Sequence, residues 1–438
     1  MRQPDENGGT RRKRPAPAPD ARSRLPAGRP SGVPAARSGR APLRVMRESL
    51  PSARRTDDEN IVRVRTGADR LMLAFILILL ALGSIMVFSA SYPSALAKEG
   101  DSMYYIKRQV MFAAAGLLVM FAASWVPPAA YKKLAVPAFC VAVALLLLVF
   151  VPGVGLTRGE ARRWLWIRGT SFTFQPSEAM KVALVMILAW YADRYRDAVL
   201  ERHNKKKCIV QGTLIPCLLV LFACFLVLIE KHLSGTAIIA LIGAVVLFIG
   251  GVHVGWLILF LGGSVILGGG AFLLRNPYAL KRLTTFTDDN ADKLDELWQT
   301  TQGLYAIGSG GPLGVGLGAS RQKYSYVSEA QNDFIFTIWC EELGFVGAVA
   351  LIVVFLLFIW RGYVIAMRAP DTFSALLVFG IITQVGVQAF LNMAVVTDIF
   401  PNTGISLPFF SYGGTSLVIL LAEMGVVLSV SRHSYQKR

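Results

Sequence analysis

Apolar residues fill ten stretches of this chain, beginning near Leu71, Val110, Leu134, Ala179, Leu214, Thr236, Val254, Phe334, Thr372 and Leu417. Each approaches the roughly 20 mainly apolar residues that a helix needs to cross a bilayer. The pattern predicts an all-α polytopic membrane protein with about ten transmembrane helices. Its weakest division separates the sixth and seventh runs, where only Gly250, Gly251, His253 and Gly255 interrupt the apolar sequence. The longest polar stretch, from about Arg275 to Asn332, separates the seventh and eighth. Between the last two runs, Pro401 to Ser416 is rich in Gly and Pro. Irregular backbone at membrane depth is tolerated only where protein covers it or it lines a cavity, so this segment reads as a re-entrant loop closing a pocket.

Composition strengthens this picture. With 54% hydrophobic residues, 17% charged residues and a mean hydropathy of +0.50, the 438-residue chain is too apolar for a soluble domain of its length. Residues 1–65 are the exception. They are rich in Arg, Pro, Ala and Gly without apolar periodicity, and so read as a disordered basic tail. A membrane domain is expected over residues 66–432, with a short tail at 433–438. No cleaved signal is expected, because the first apolar run is long enough to remain as a span.

Charge sets the expected orientation. The first 65 residues hold sixteen Lys or Arg against seven acids, a net +9 of the chain's +17. Positive flanks face the cytoplasm, so both termini are expected inside the cytoplasmic membrane, with the Arg275 to Asn332 loop outside. Arg194, Arg196, Arg202, Lys205, Lys206 and Lys207 also fall inside on a ten-span count. One outward segment runs against the rule: Thr157 to Thr170 carries Arg158, Arg162, Arg163 and Arg168 against a single Glu160. It reads as an anion site, since Arg matches phosphate oxygens bidentately, or as an anchor to lipid headgroups.

The candidate chemistry centres on Asp333, an acid where the long polar loop meets the apolar run led by Phe334, Ile335 and Phe336. Ionisable groups at such places are functional candidates by default. Asp333, Thr337 and Glu341 recur every four residues on one helical face, with Glu329 one turn earlier. Such a strip suits a cavity lining, a divalent cation site or a proton path. Gln175, Pro176, Ser177 and Glu178 open the fourth run, and Lys181 follows three residues after Glu178, at pairing distance on one face. This pair reads as a packing device or as a contact to a substrate anion. The glycines between Gly308 and Gly318 permit close backbone approach but lack the order of a nucleotide loop. Five cysteines and four histidines are scattered without metal-site spacing.

These segments together resemble the SEDS family of cell-wall polymerases. The resemblance rests on Ser89-Ala90-Ser91, Lys107-Arg108-Gln109, and Arg163-Trp164 leading to Gln175-Pro176-Ser177-Glu178 and Lys181. It continues in Tyr305 to Gly311, Gly316-Leu317-Gly318, Glu329, Asp333 to Phe336, Glu341 to Gly344, and Pro401 through Leu407 to Gly414. It covers about residues 70 to 432. It departs at Glu230 to Thr236, where His232 stands at a position many members fill with Asp.

The resemblance implies ten membrane helices and a peptidoglycan glycosyltransferase that polymerises lipid II into glycan strands outside the membrane, with Asp333 as catalytic base. It implies substrate-binding roles for Arg162, Arg163, Glu178, Lys181, Lys323, Glu329 and Ser411. A divalent cation, magnesium or manganese, is a candidate cofactor with no ligands assigned. The implied partners are lipid II, the growing strand, a class B penicillin-binding protein and other division proteins; no nucleic acid is expected. The long basic tail points to a division role, with elongation and sporulation as alternatives. A lipid II flippase is the competing activity, for which charges near the bilayer midplane are expected.

Overall fold

The computed structural model of the chain describes residues 61–63, 67–158, 161–166, 173–200, 209–275, 280 and 298–437. The basic tail up to residue 60, Glu160, Arg168, the cluster from Arg202 to Lys207 and the 281–297 part of the long loop lie outside the described residues.

Helices dominate. In chain order they are α1 (Arg70–Glu99), α2 (Tyr104–Trp125), α3 (Pro128–Leu148), α4 (Pro176–Arg194) and the short α5 (Arg196–Leu200). Then come α6 (Val210–Ile229, its first five residues in π geometry), α7 (Leu233–Ile249) and α8 (Val254–Leu257, Ile258–Gly262 and Gly263–Arg275 in succession). The last four are α9 (Trp298–Ser309), α10 (Ile335–Met367), α11 (Thr372–Val396) and α12 (Gly414–Arg432). Every apolar run is therefore helical. Among the described residues, seven helices are long and apolar enough to cross a membrane: α1, α2, α3, α6, α10, α11 and α12. The other three differ for visible reasons. Glu178, Lys181, Asp193 and Arg194 interrupt the apolarity of α4, α7 has only 17 residues, and α8 changes geometry at Ile258–Gly262.

Local chemistry sets the helix ends. The Asp69 carboxylate accepts from Met72 N at 2.9 Å, and that of Asp371 from Ser374 N at 2.8 Å, satisfying first-turn donors of α1 and α11. Pro opens α3 and α4, where its missing N–H is no loss.

Helices that are apolar all round must face lipid or protein, and burial separates the two cases. In α11, 78% of the most apolar window is buried, against 22% in α2 and α10. Leu118, Phe121 and Leu356 stay exposed on α2 and α10, while α11 and α4 form the centre. Two small sheets lie outside the bundle. A strand β1 (Ile61–Arg63) pairs antiparallel with a C-terminal strand, β5 (Tyr435–Lys437). Nearby, Arg361 of α10 forks onto Asp69, with Nε to Oδ1 at 3.1 Å, and Asp69 N donates to Ser431 Oγ at 3.1 Å. The start of α1 and the end of α12 thus lie on one side.

The second sheet was not expected. The basic segment between α3 and α4, read above as a loop, forms β2 (Gly155–Arg158), β3 (Ala161–Trp166) and β4 (Thr173–Phe174), paired antiparallel in that order. Its period of two is visible in β3, where Leu165 is buried between half-buried Trp164 and exposed Trp166.

Candidate active site

Asp333 sits in the turn that enters α10, half-buried, beside the fully buried Phe334. Its backbone is held from across the fold. Asn392 of α11 donates both hydrogens of its amide, one to Asp333 O at 2.8 Å and one to Ile405 O at 2.6 Å. Two further bonds dock the 401–413 loop on the same turn: Tyr412 N to Gln331 O at 2.9 Å and Ser411 Oγ to Asn332 O at 2.7 Å. Gly404 has a left-handed φ of +69°, and a Cβ there would lie 3.0 Å from Asp333 Oδ2. The loop therefore passes directly over the carboxylate. Phe409 and Phe410 anchor it in the core against Phe358 and Trp339, with ring centroids 5.8 and 5.5 Å apart. This is the covered, irregular backbone expected for Pro401 to Ser416.

The polar strip of Asp333, Thr337 and Glu341 does not line a common cavity. Thr337 Oγ1 donates to Phe334 O at 2.7 Å, inside its own turn. Glu341 accepts from Arg321 N at 2.9 Å and from Ser320 Oγ, which pins the glycine-rich loop to the helix. The helix begins only at Ile335, so Asp333 lies in the turn before it, and α10 then breaks at Gly344, whose φ of 66° and ψ of −166° are not helical. Carbonyls freed there accept from that loop: Val315 N reaches Glu341 O and Gly316 N reaches Glu342 O, each at 3.0 Å. Gly310 and Gly314 lie so close to the carbonyls of Cys340 and Glu342 that no side chain would fit. Their close backbone approach is to a helix, not to a ligand.

Lys323 turns inward. Expected as a phosphate contact, its ammonium is buried and donates to Gly318 O at 2.7 Å, Glu342 Oε1 at 3.0 Å and Ser89 Oγ at 3.3 Å. An ammonium has three donors, and all three are engaged. The Ser411 hydroxyl is likewise engaged within the protein, since it also accepts from Leu407 N at 2.7 Å. Glu329 remains at the surface near Asp333, with a left-handed φ of 52° and Oε2 accepting from Asn332 Nδ2 at 2.6 Å.

Glu178 and Lys181 pair as their spacing implied, Nζ to Oε2 at 2.8 Å. They face inward: Lys181 also donates to Gln388 Oε1 at 2.8 Å, and Gln388 Nε2 donates to Ser406 O at 3.1 Å. Glu178 and Gln388 line a small cavity together with Gln384, Ser406 and Glu423. Three amides in this region, Gln384, Gln388 and Asn392, escaped the sequence reading. Their signal was an i, i+4, i+8 repeat of amides in an apolar run, which is one face of a helix. Glu423, halfway along α12 and buried, was also missed; it accepts from Gln384 Nε2 at 2.8 Å.

On the β-hairpin, Arg162 is exposed and Arg163 half-buried. Arg163 donates to the carbonyl of Lys231, a residue with a left-handed φ of 58° in the α6–α7 turn. That turn is tied to the loop over Asp333 by Ser234 Oγ to Thr403 O at 2.7 Å. Beside Lys231, burial pushes the Glu230 carboxyl up to about 8, with the nearby Arg163 opposing the shift. His232 is pushed down to about 3 by burial, then by the cations Arg163 and Lys181. Glu230, two residues before the position that His232 fills, is therefore an acid that feels the charge of Arg163.

Among the described residues no group of three or more His, Cys, Asp or Glu side chains is placed to hold a metal ion. Residues 69–436 match the model of a family described as cell cycle protein, that of FtsW, RodA and SpoVE. The chain belongs to this family. Among FtsW, RodA and SpoVE proteins it is 38% identical over 372 residues to stage V sporulation protein E of Bacillus subtilis, covering 84% of this chain and 98% of that protein. It is 41% identical over 367 residues to a probable peptidoglycan glycosyltransferase FtsW of Geobacter sp., covering 83% and 97%. A solved chain from a peptidoglycan synthase complex that coordinates polymerization and crosslinking superposes with a TM-score of 0.67 at 27% identity, over 84% of this chain and 99% of that one. RodA of Thermus thermophilus superposes with a TM-score of 0.61 at 27% identity, over 84% and 98%. Like other FtsW, RodA and SpoVE proteins, this one is a multi-pass membrane protein.

Proposed function

We propose that this peptidoglycan glycosyltransferase polymerises lipid II into glycan strands at the outer membrane face, with Asp333 as its general base. A sugar 4-hydroxyl oxygen attacks the anomeric carbon of a lipid-pyrophosphate-linked sugar. The new C–O bond forms as the bond to pyrophosphate breaks, the electron pair leaves with the phosphate, and the hydroxyl proton passes to the Asp333 carboxylate. One displacement inverts the centre and needs no protein nucleophile. The observation that carries this reading is how Asp333 is held. Its backbone is clamped by Asn392, and its half-buried carboxylate lies directly beneath the Gly404 turn.

Pyrophosphate leaves without an acid but benefits from cations. With Lys181 and Lys323 turned inward, Arg162 and Arg163 on β3 are the best-supported phosphate contacts. Magnesium or manganese is usually held by one or two carboxylates together with substrate phosphates. The surface carboxylate Glu329 beside Asp333 suits that role better than a resident metal cage, and the ion would supply charge neutralisation at the leaving phosphate.

Ten spans, cytoplasmic termini and an outward loop between the seventh and eighth spans form part of the same reading. So does a role in division, supported by the basic tail and by FtsW relatives. The synthase complex that shares this fold supports a crosslinking penicillin-binding protein as partner. Transport of lipid II is the second reading, favoured by Glu423, a buried carboxyl halfway along α12.

One experiment separates the two. Purified protein with its partner, given lipid II in detergent, is expected to form polymer, which flipping cannot produce. Asp333→Asn is expected to abolish polymer while remaining folded. Polymer at the normal rate from the folded variant would remove Asp333 from the role of base.

A further inference from the structure

Asn392 is almost completely buried, at 1% exposure, and its side chain touches both Asp333 and the loop above it. One nitrogen supplies two donors, one for each carbonyl. Its oxygen, also buried, has no hydrogen-bond partner. Leaving a buried acceptor unsatisfied costs about 1–3 kcal/mol. A simple packing residue would avoid that cost, whereas the two N–H donors of one amide nitrogen meet two carbonyls that converge on one point.

The second carbonyl belongs to Ile405, which follows Gly404, the residue over Asp333 Oδ2. A single side chain therefore sets both edges of the gap in which the carboxylate sits. The loop does not depend on it for docking, because Ser411 and Tyr412 hold the same turn through Asn332 and Gln331. Removing Asn392 would leave the loop in place and loosen Asp333.

We propose that Asn392 is a positioning residue that aligns Asp333 with the attacking hydroxyl. This rests on Asp333 being the base. Misplacing a reacting group by about 1 Å can cost about a hundredfold in rate. Accordingly, Asn392→Ala and the isosteric Asn392→Asp, which lacks two donors when ionised, are expected to lower kcat by about tenfold to a hundredfold. KM for lipid II should be unchanged, and elution and melting in detergent should match the parent.

The discriminating measurement is a double-mutant cycle with Asp333→Glu, which keeps a carboxylate in a shifted position and so a measurable rate, in the same polymerisation assay. If Asn392 acts through the placement of that carboxylate, adding Asn392→Ala to Asp333→Glu causes little further loss. Multiplied losses overturn the inference, as does parental kcat in either folded Asn392 variant. Failure of both variants to fold also overturns it, in favour of a purely structural role. An inactive Asp333→Asn beside an active Asn392→Ala sinks this inference alone; an active Asp333→Asn sinks the base assignment and the inference together.

Discussion

Lys323 Nζ lies 3.0 Å from Glu342 Oε1, and both side chains are almost entirely removed from solvent. Ser89 Oγ completes the group, its one hydroxyl proton shared between the two oxygens of Glu342, which lie 2.6 and 2.8 Å away. The pair ties the glycine-rich loop, α10 and α1 together. Removing one member of a buried pair strands the other charge and typically costs about 3–5 kcal/mol. Lys323→Met should therefore melt well below the parent in detergent, and Lys323→Met with Glu342→Gln should recover most of the loss. A Lys323→Met protein of parental stability with a raised KM for lipid II would return Lys323 to the substrate.

Gly344 should tolerate no side chain. Its φ of 66° and ψ of −166° fall in a region essentially confined to glycine, where other residues are strained by about 1–3 kcal/mol. A Cβ would also collide with the backbone around Gly314. Gly344→Ala is expected to undock the glycine-rich loop and expose residues 310–321 to protease. An unchanged digestion pattern would show that the break in α10 is not what seats the loop.

Gly404→Ala tests the close passage over Asp333. A left-handed alanine costs about 1–2 kcal/mol, and its methyl would press on Oδ2 from 3.0 Å. Polymerisation should fall by about tenfold or more while the melting temperature drops only slightly. Parental activity would mean that the loop stands further from the carboxylate during turnover.

Glu230 should make stability fall with pH. Its carboxyl is raised from 4.5 to about 8 by burial, so across that window the native state keeps a proton that the unfolded chain has lost. Stability therefore declines from about pH 4.5 to about pH 8, and the whole cost, up to about 5 kcal/mol, is present above that. Glu230→Gln removes it. The variant's melting temperature should gain on the parent's steadily from pH 5 to pH 9; a gap independent of pH would mean that Glu230 is ionised throughout.

The sequence by itself determined the helical membrane fold. Each apolar run is helical, because apolarity is a local property and a segment without water must satisfy its own backbone. Sequence also singled out Asp333 and the Glu178 and Lys181 pair, since both signals lie within a few residues of chain. It did not show the sheet carrying Arg162 and Arg163, because its short strands carry little apolar alternation. Tertiary structure alone decided which polar atoms are engaged. Lys323 meets Ser89 across 234 residues, and Asn392 meets Asp333 across 59. Hydropathy and helical spacing contain no information about such distant partners. Whether a buried cation or amide faces a substrate or another side chain is settled only when packing brings the two segments together.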